Sequence, residues 1–266
     1  MDEIPEIKFL AGSASSPGLY CDLGKLYQPY PAAKNIPSWY KDLPKVHDGE
    51  EGPLLTVKTC PGIYDILRAG YIVPAWSDMV FRYDPDQEGT DQELKYVRAK
   101  AIQRTPDPPF HSNEQLGKCP ISHGTPEPFS KFVKLVSPWY IETPKDVSVM
   151  YIQPYYRQGI DYSILPGIID PWIDDIPNKE VNAFLELHVP KKDIWIRAGE
   201  PLFQVIPFRR ENYKFTVDYL DSKEKSEKYR LLELDRQSKL PSIHENHKNL
   251  IKCRSTENKN YDTNDR

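Results

Sequence analysis

Long hydrophobic runs are missing from this sequence. No stretch of about 18 apolar residues occurs, so no transmembrane helix is expected. The opening residues, MDEIPEIKFLAGSASSPG, lack the basic start and long apolar core of a secretory signal. Cysteine is scarce: Cys21, Cys60, Cys119 and Cys253 lie far apart and form no C-x-x-C, which favours reduced thiols in a cytosol over disulfides. An excess of positive charge is also lacking. With 35 Lys and Arg against 39 Asp and Glu, the net charge is −4 and the pI is near 5.9. General binding of a phosphate backbone needs a basic surface and is not expected. The sequence contains no P-loop, no G-x-G-x-x-G, no H-E-x-x-H and no G-x-S-x-G. Nor does it contain the H-x-[DE] of iron oxygenases.

Proline is what the chain has in excess. Its 26 prolines in 266 residues are about double the ordinary share. Spread along the chain, they exclude long helices and favour short strands joined by rigid turns. The length and 39% hydrophobic content are enough for a real core.

Residues 1–52 read as an irregular arm, apart from a strand at EIKFLAG, with Tyr27, Tyr30, Trp39 and Tyr40 as aromatic anchors. The main β domain is expected over residues 53–210. It opens with a short helix over 61–69, with Pro61 at its first position and Gly70 closing the turn. A strand through YIVPAWSDMVFRYD, interrupted at Pro74, turns back through ELKYVRAKAI as a hairpin. After the irregular stretch 104–130, four segments alternate as half-buried strands do: KFVKLV, DVSVMYIQP, EVNAFLELHV and DIWIRAGEPLFQVIPF. The third loses its alternation around Val181, Phe184 and Leu185, as at a bulge. Such spacing predicts a mainly β protein, an antiparallel β-sandwich or barrel of β-clip or jelly-roll type. Residues 211–253 are expected to form a helical cover, with Tyr229, Leu231, Leu232 and Leu234 as contacts. Residues 254–266 are too polar to bury and are expected to be disordered.

Two clusters are candidates for chemistry. LPGIIDPWIDD carries Asp170, Asp174 and Asp175. Close carboxylates can hold Mg²⁺ or tune one another for acid–base work, yet Asp is equally a turn former. Asp170 directly follows a strand, where it could also clamp Arg157, Arg209 or Arg210. The second cluster, FHSNEQLGKCPISHG, offers His111, Cys119 and His123. Their spacing lies within the loose range for zinc, with Cys60 as a distant fourth ligand. A Cys–His nucleophile is the other reading, without a recognisable orienting acid. The aromatic pairs Trp139-Tyr140 and Tyr155-Tyr156 suit either core packing or the stacking of bases or sugars.

PGIID followed some thirty residues later by GEPLFQ resembles the trimeric dUTPase and dCTP deaminase family of β-clip proteins. That resemblance implies Asp170 as the residue that activates the hydrolytic water and Gln204 as the strand glutamine. Where the family has a Tyr three residues after its Asp, this chain has Ile173. The segments IPSWYKDLP, TVKTCPGIYDILRAGYIVPAWSD, SPWYIETPKDVSVMYIQP and AGEPLFQVIPFRR look like a family of unknown function from tailed phages and some bacteria. This second resemblance implies a setting in a bacterial or phage-infected cytoplasm.

Three functions follow as expectations. The first is a non-enzymatic accessory protein whose β domain binds a small molecule or a protein partner. The second is a nucleotide hydrolase using Asp170 with Mg²⁺, its pocket lined by Arg157 and Gln204 and completed by trimer contacts. The third is a virion or assembly component. Each is compatible with a homo-oligomer, and none calls for a membrane.

Overall fold

A computed structural model describes residues 5–12, 22, 25–49, 52–88, 94–98, 110–111, 130–157, 159–170, 179–188, 192–219 and 222–235. By packing, the chain divides into two units, one of residues 1–37 and 67–210, the other of residues 38–66 and 211–266.

The larger unit holds most of the strands. Near the N-terminus lie β1 (Lys8–Ala11) and β2 (Tyr30–Pro31). In the smaller unit β3 (Val46–Gly49) and β4 (Gly52–Leu55) make a hairpin. β5 (Tyr71–Pro74) and β6 (Met79–Tyr83) are separated where Pro74 was expected to break the strand, and β7 (Leu94–Arg98) pairs back on β6 as predicted. β8 (Phe110–His111), β9 (Ser130–Glu142), β10 (Val147–Ile152), β11 (Tyr162–Ile164) and β12 (Gly167–Ile169) follow. The last three are β13 (Lys179–His188), β14 (Ile194–Ile196) and β15 (Pro201–Arg209).

All pairings among the described residues are antiparallel. One sheet has the order β1-β9-β13-β11, with β8 also on β9; a second runs β12-β10-β15-β5-β2; a third is β14-β6-β7. The architecture is a sandwich, not a closed barrel. Its core takes alternate residues along most strands, and consecutive ones at Leu202 and Phe203, where β15 shifts register on β5. Val133, Leu135, Ile141, Ala183, Leu185 and Leu187 from the first meet Val73, Val149, Leu202, Phe203 and Val205 from the second. The third sheet adds Met79, Phe81, Ile194 and Ile196.

The alternation expected to fail around Val181, Phe184 and Leu185 holds, with Ala183, Leu185 and Leu187 all in the core, and the irregularity lies in the facing strand. β13 pairs Glu180 with Tyr140 but Asn182 with Val136, so residues 137–139 of β9 face Val181 alone. Pro138 lies inside that bulge, where its missing N–H removes no ladder bond. Ser137 Oγ accepts the neighbouring Trp139 N–H at 3.1 Å. This bulge lets β9 run for 13 residues through a proline, further than KFVKLV alone predicted.

Gly70 is the second point where sequence dictates geometry. It has φ +65°, its carbonyl accepts from Ala32 N–H at 2.9 Å, and a Cβ there would overlap the Val205 carbonyl oxygen. Only glycine lets β5 start this close to β15.

The smaller unit contains α1 (Ser38–Asp42), the β3–β4 hairpin and α2 (Pro61–Ile66), which is shorter than the 61–69 expected. Thr56 caps the 3-10 turn Val57–Thr59 by accepting from Lys58 N–H. Tyr40 is its buried aromatic. A third helix among the described residues of this unit, α3, spans residues 223–235. Among the described residues no helix is long and apolar enough to cross a membrane.

Candidate functional site

The three residues that the sequence singles out, Asp170, Gln204 and Arg157, lie at different points along β15. At its C-terminal end, Phe208 pairs with Ser148 of β10, and on the other side of β10 Val149 pairs with Ile169 of β12. That register carries Asp170, the residue after β12, up to Ser148. The Ser148 hydroxyl donates to Asp170 Oδ1, and Arg210 Nη2 lies 2.9 Å from Asp170 Oδ2. Arg210 Nε in turn donates to Ser148 Oγ at 3.0 Å. The three side chains close a triangle over the ends of three strands. The Asp170 side chain is only 8% exposed and that of Arg210 is 55% exposed. Both carboxylate oxygens are therefore engaged, and a cation approaching Asp170 would have to displace a guanidinium of the same sign. Of the three arginines considered as clamps, Arg210 is the one that meets Asp170. Arg209 pairs with Asp146, and Arg157 is elsewhere.

Gln204 sits in the middle of β15, 2% exposed, and its Nε2 donates to the Ala69 carbonyl at 2.7 Å. This bond ties the connection before β5 to the central strand. Arg157 lies toward the other end. Its Nη1 donates to Tyr162 Oη at 2.9 Å and to the Pro201 carbonyl, and its Nη2 lies 2.7 Å from Glu200 Oε2. From Phe208, beside the Asp170 triangle, to Pro201, held by Arg157, is about 23 Å along the strand at the usual rise. Asp170, Gln204 and Arg157 thus occupy one end, the middle and the other end of β15. The structure does not bring them together within one chain.

The Arg157 cluster includes the buried Tyr162 and the half-buried Tyr30. Burial pushes the Tyr162 hydroxyl above its usual pKa of 10.0, with Arg157 pulling it back down and Glu200 adding to the rise. Tyr30 is raised for the same first reason and lowered in part by Arg157. Both phenols stay neutral donors or acceptors at physiological pH. Immediately before Arg157, Tyr155 and Tyr156 project outward, 45% and 42% exposed, with ring centroids 6.1 Å apart. Tyr156 has φ +60°, the one non-glycine residue at positive φ among those described. The loop base is pinned by Gln153 Oε1, which accepts from Ile164 N–H of β11 at 2.8 Å. The other aromatic pair behaves differently: Trp139 belongs to the core.

The metal candidates fall largely beyond view. His111 is placed only by its backbone, in β8 opposite Phe132, while Cys119, His123, Asp174 and Asp175 lie outside the described residues. Among the described residues no group of three or more His, Cys, Asp and Glu could hold a metal ion. Cys60 is a free, exposed thiol.

One polar pair escaped sequence reasoning. Ser163 Oγ lies 2.8 Å from His188 Nε2, and Ser163 pairs directly across the ladder with the buried Glu186. The register of β11 on β13 brings them together over 25 positions, and neither strand carries a motif that announces it. The bond helps to hold the three-residue strand β11 onto β13.

No protein-family model matches this chain, and no curated protein matches it. Among solved structures, a native EIAV dUTPase is similar, with 11% identity over 58% of this chain and 87% of that one, at a TM-score of 0.30. A superposition this loose carries no argument about the site.

Proposed function

We propose that this chain is a non-enzymatic binding module of accessory type, whose β-sandwich engages its partner through the loop at Tyr155 and Tyr156. The observation that carries this reading is the Arg157 clamp. A guanidinium 19% exposed spends its donors on Tyr162, Pro201 and Glu200, and it fixes two exposed tyrosines beside it, one of them at φ +60°. Backbone held in that region costs on the order of 1–3 kcal/mol and persists where the surroundings over-determine it, often at ligand contacts. Tyrosine supplies a large, stiff contact surface for sugars, bases or peptide. By contrast, Asp170 and Gln204 are spent on joining strands.

Thermal-shift titration tests this against the nucleotide-hydrolase reading. The panel contains nucleoside triphosphates with Mg²⁺, oligosaccharides and short aromatic peptides, applied to wild type, Asp170→Asn and a Tyr155→Ala/Tyr156→Ala double variant. A ligand at 100 times its Kd raises stability by about 2.7 kcal/mol, which such a scan resolves. The expected outcome is a ligand whose shift survives in Asp170→Asn and disappears in the double variant. A nucleotide shift that needs Asp170 and ignores the tyrosines would replace this reading with the hydrolase.

A further inference from the structure

Beyond β15 the chain leaves the sheets, and residues 211–219 read ENYKFTVDY. Their pattern is that of a strand: Tyr213, Phe215, Val217 and Tyr219 alternate with Lys214, Thr216 and Asp218. Aromatic and β-branched residues at such spacing favour sheet pairing. Yet the whole apolar set lies open, with Tyr213 81%, Phe215 86%, Val217 60% and Tyr219 71% exposed. α3, which follows, exposes Tyr229, Leu231, Leu232 and Leu234 by half or more. A helix of this length is marginal in water without a packed face. Runs of exposed large apolar residues of this kind point to an interaction site.

We propose that residues 213–219 pair antiparallel with the same residues of a second copy of this chain, about a two-fold axis through Thr216. The sequence is complementary to itself in that register. Lys214 of each copy falls opposite Asp218 of the other, Phe215 opposite Val217, Tyr213 opposite Tyr219, and Thr216 opposite Thr216. Opposite charges, aromatic pairs, aromatic with β-branched, and Thr with Thr are the favourable cross-strand combinations. Parallel in-register pairing would instead set Lys214 on Lys214 and Asp218 on Asp218. Moving the axis to Val217 would set Lys214 opposite Leu220 and lose both charge pairs. A closed two-fold contact requires this self-complementarity.

The area is also sufficient. The exposed apolar side chains of the segment and α3 amount to on the order of 800–1,000 Å² per copy, close to the roughly 800 Å² per partner of a standard interface. A two-stranded ribbon alone is weak in water, so the apolar residues of α3 belong to the same contact. Within one chain Asp218 meets Lys225 at 3.1 Å, but that pair is exposed on both sides and gives way readily.

Sedimentation equilibrium of the full chain decides the matter, with thermal unfolding to confirm that each variant is folded. Wild type should associate reversibly as a dimer. Phe215→Asp should raise the dissociation constant by about a hundred-fold, and Lys214→Glu or Asp218→Lys by about ten-fold each, since every charge contact occurs twice. Combining Lys214→Glu with Asp218→Lys should restore association to within about three-fold of wild type. Within one chain these positions are four strand residues apart, so rescue can arise only between copies. A wild type that stays monomeric, variants that associate like wild type, or a double variant no better than the singles would each overturn the proposal. None of these outcomes touches the Tyr155–Tyr156 loop, so the two readings stand or fall separately.

Discussion

Arg157→Ala should destabilise the β-sandwich by about 3 kcal/mol, an unfolding midpoint lower by about 6–12 °C for a unit of this size. Three losses combine. The buried hydroxyl of Tyr162, 2% exposed, loses the guanidinium that bonds it, and the Pro201 carbonyl loses a donor at the start of β15. Glu200 loses its ion partner, but at 37% side-chain exposure it can turn to water, so that part contributes little. Most of the effect is therefore the cost of stranded polar groups, not of lost charge attraction. Arg157→Lys should fall between the two, because one ammonium cannot reach three acceptors set in different directions. Chemical denaturation of the three proteins measures this. Equal stability of wild type and Arg157→Ala would mean that the clamp does not hold the loop.

Gly70→Ala should cost as much or more, about 3–4 kcal/mol. About 1 kcal/mol comes from the left-handed φ, and the rest from pushing β5 away from β15, since the added Cβ meets backbone oxygen that cannot swing aside. The Ala32 to Gly70 hydrogen bond that seats the N-terminal residues on the sheet would be displaced with it. Gly62→Ala is the matched control. It lies in α2 with open space around it and should leave stability unchanged or raise it by a few tenths of a kcal/mol up to about 1. The contrast between the two, read from soluble yield and unfolding midpoint, isolates the close approach at Gly70. A Gly70→Ala protein as stable as the Gly62→Ala protein would contradict it.

The strands were legible because their side chains alternate and their turns carry Pro and Gly. DVSVMYIQP and DIWIRAGEPLFQVIPF became β10, β14 and β15. The bulge opposite Val181 was not legible in EVNAFLELHV, whose core residues Ala183, Leu185 and Leu187 alternate; it lies in β9 around Pro138, and the pairing that reveals it is a long-range fact that no local pattern contains. For the site the sequence supplied residue types and chain order but not register. Asp170 was correctly placed after a strand and correctly offered a structural arginine. Which arginine it meets depends on β10 lying between β12 and β15, and that order is not written in either strand. Ser163 and His188 were invisible for the same reason. The resemblance around PGIID and GEPLFQ reported two segments in order, and physical convergence does not follow from order. Within this chain Gln204 and Arg157 lie progressively further along β15 from Asp170.

Turnover is the most direct test of the claim that Asp170, Gln204 and Arg157 hold strands together and do not perform chemistry. The purified full chain, at high protein concentration with Mg²⁺, would be assayed for phosphate and pyrophosphate release from a panel of deoxynucleoside triphosphates, alongside Asp170→Asn. The account predicts the same background rate for both proteins with every nucleotide. Release by wild type that falls by a hundred-fold or more in a folded Asp170→Asn protein, the size of effect that loss of a catalytic base produces, would contradict it.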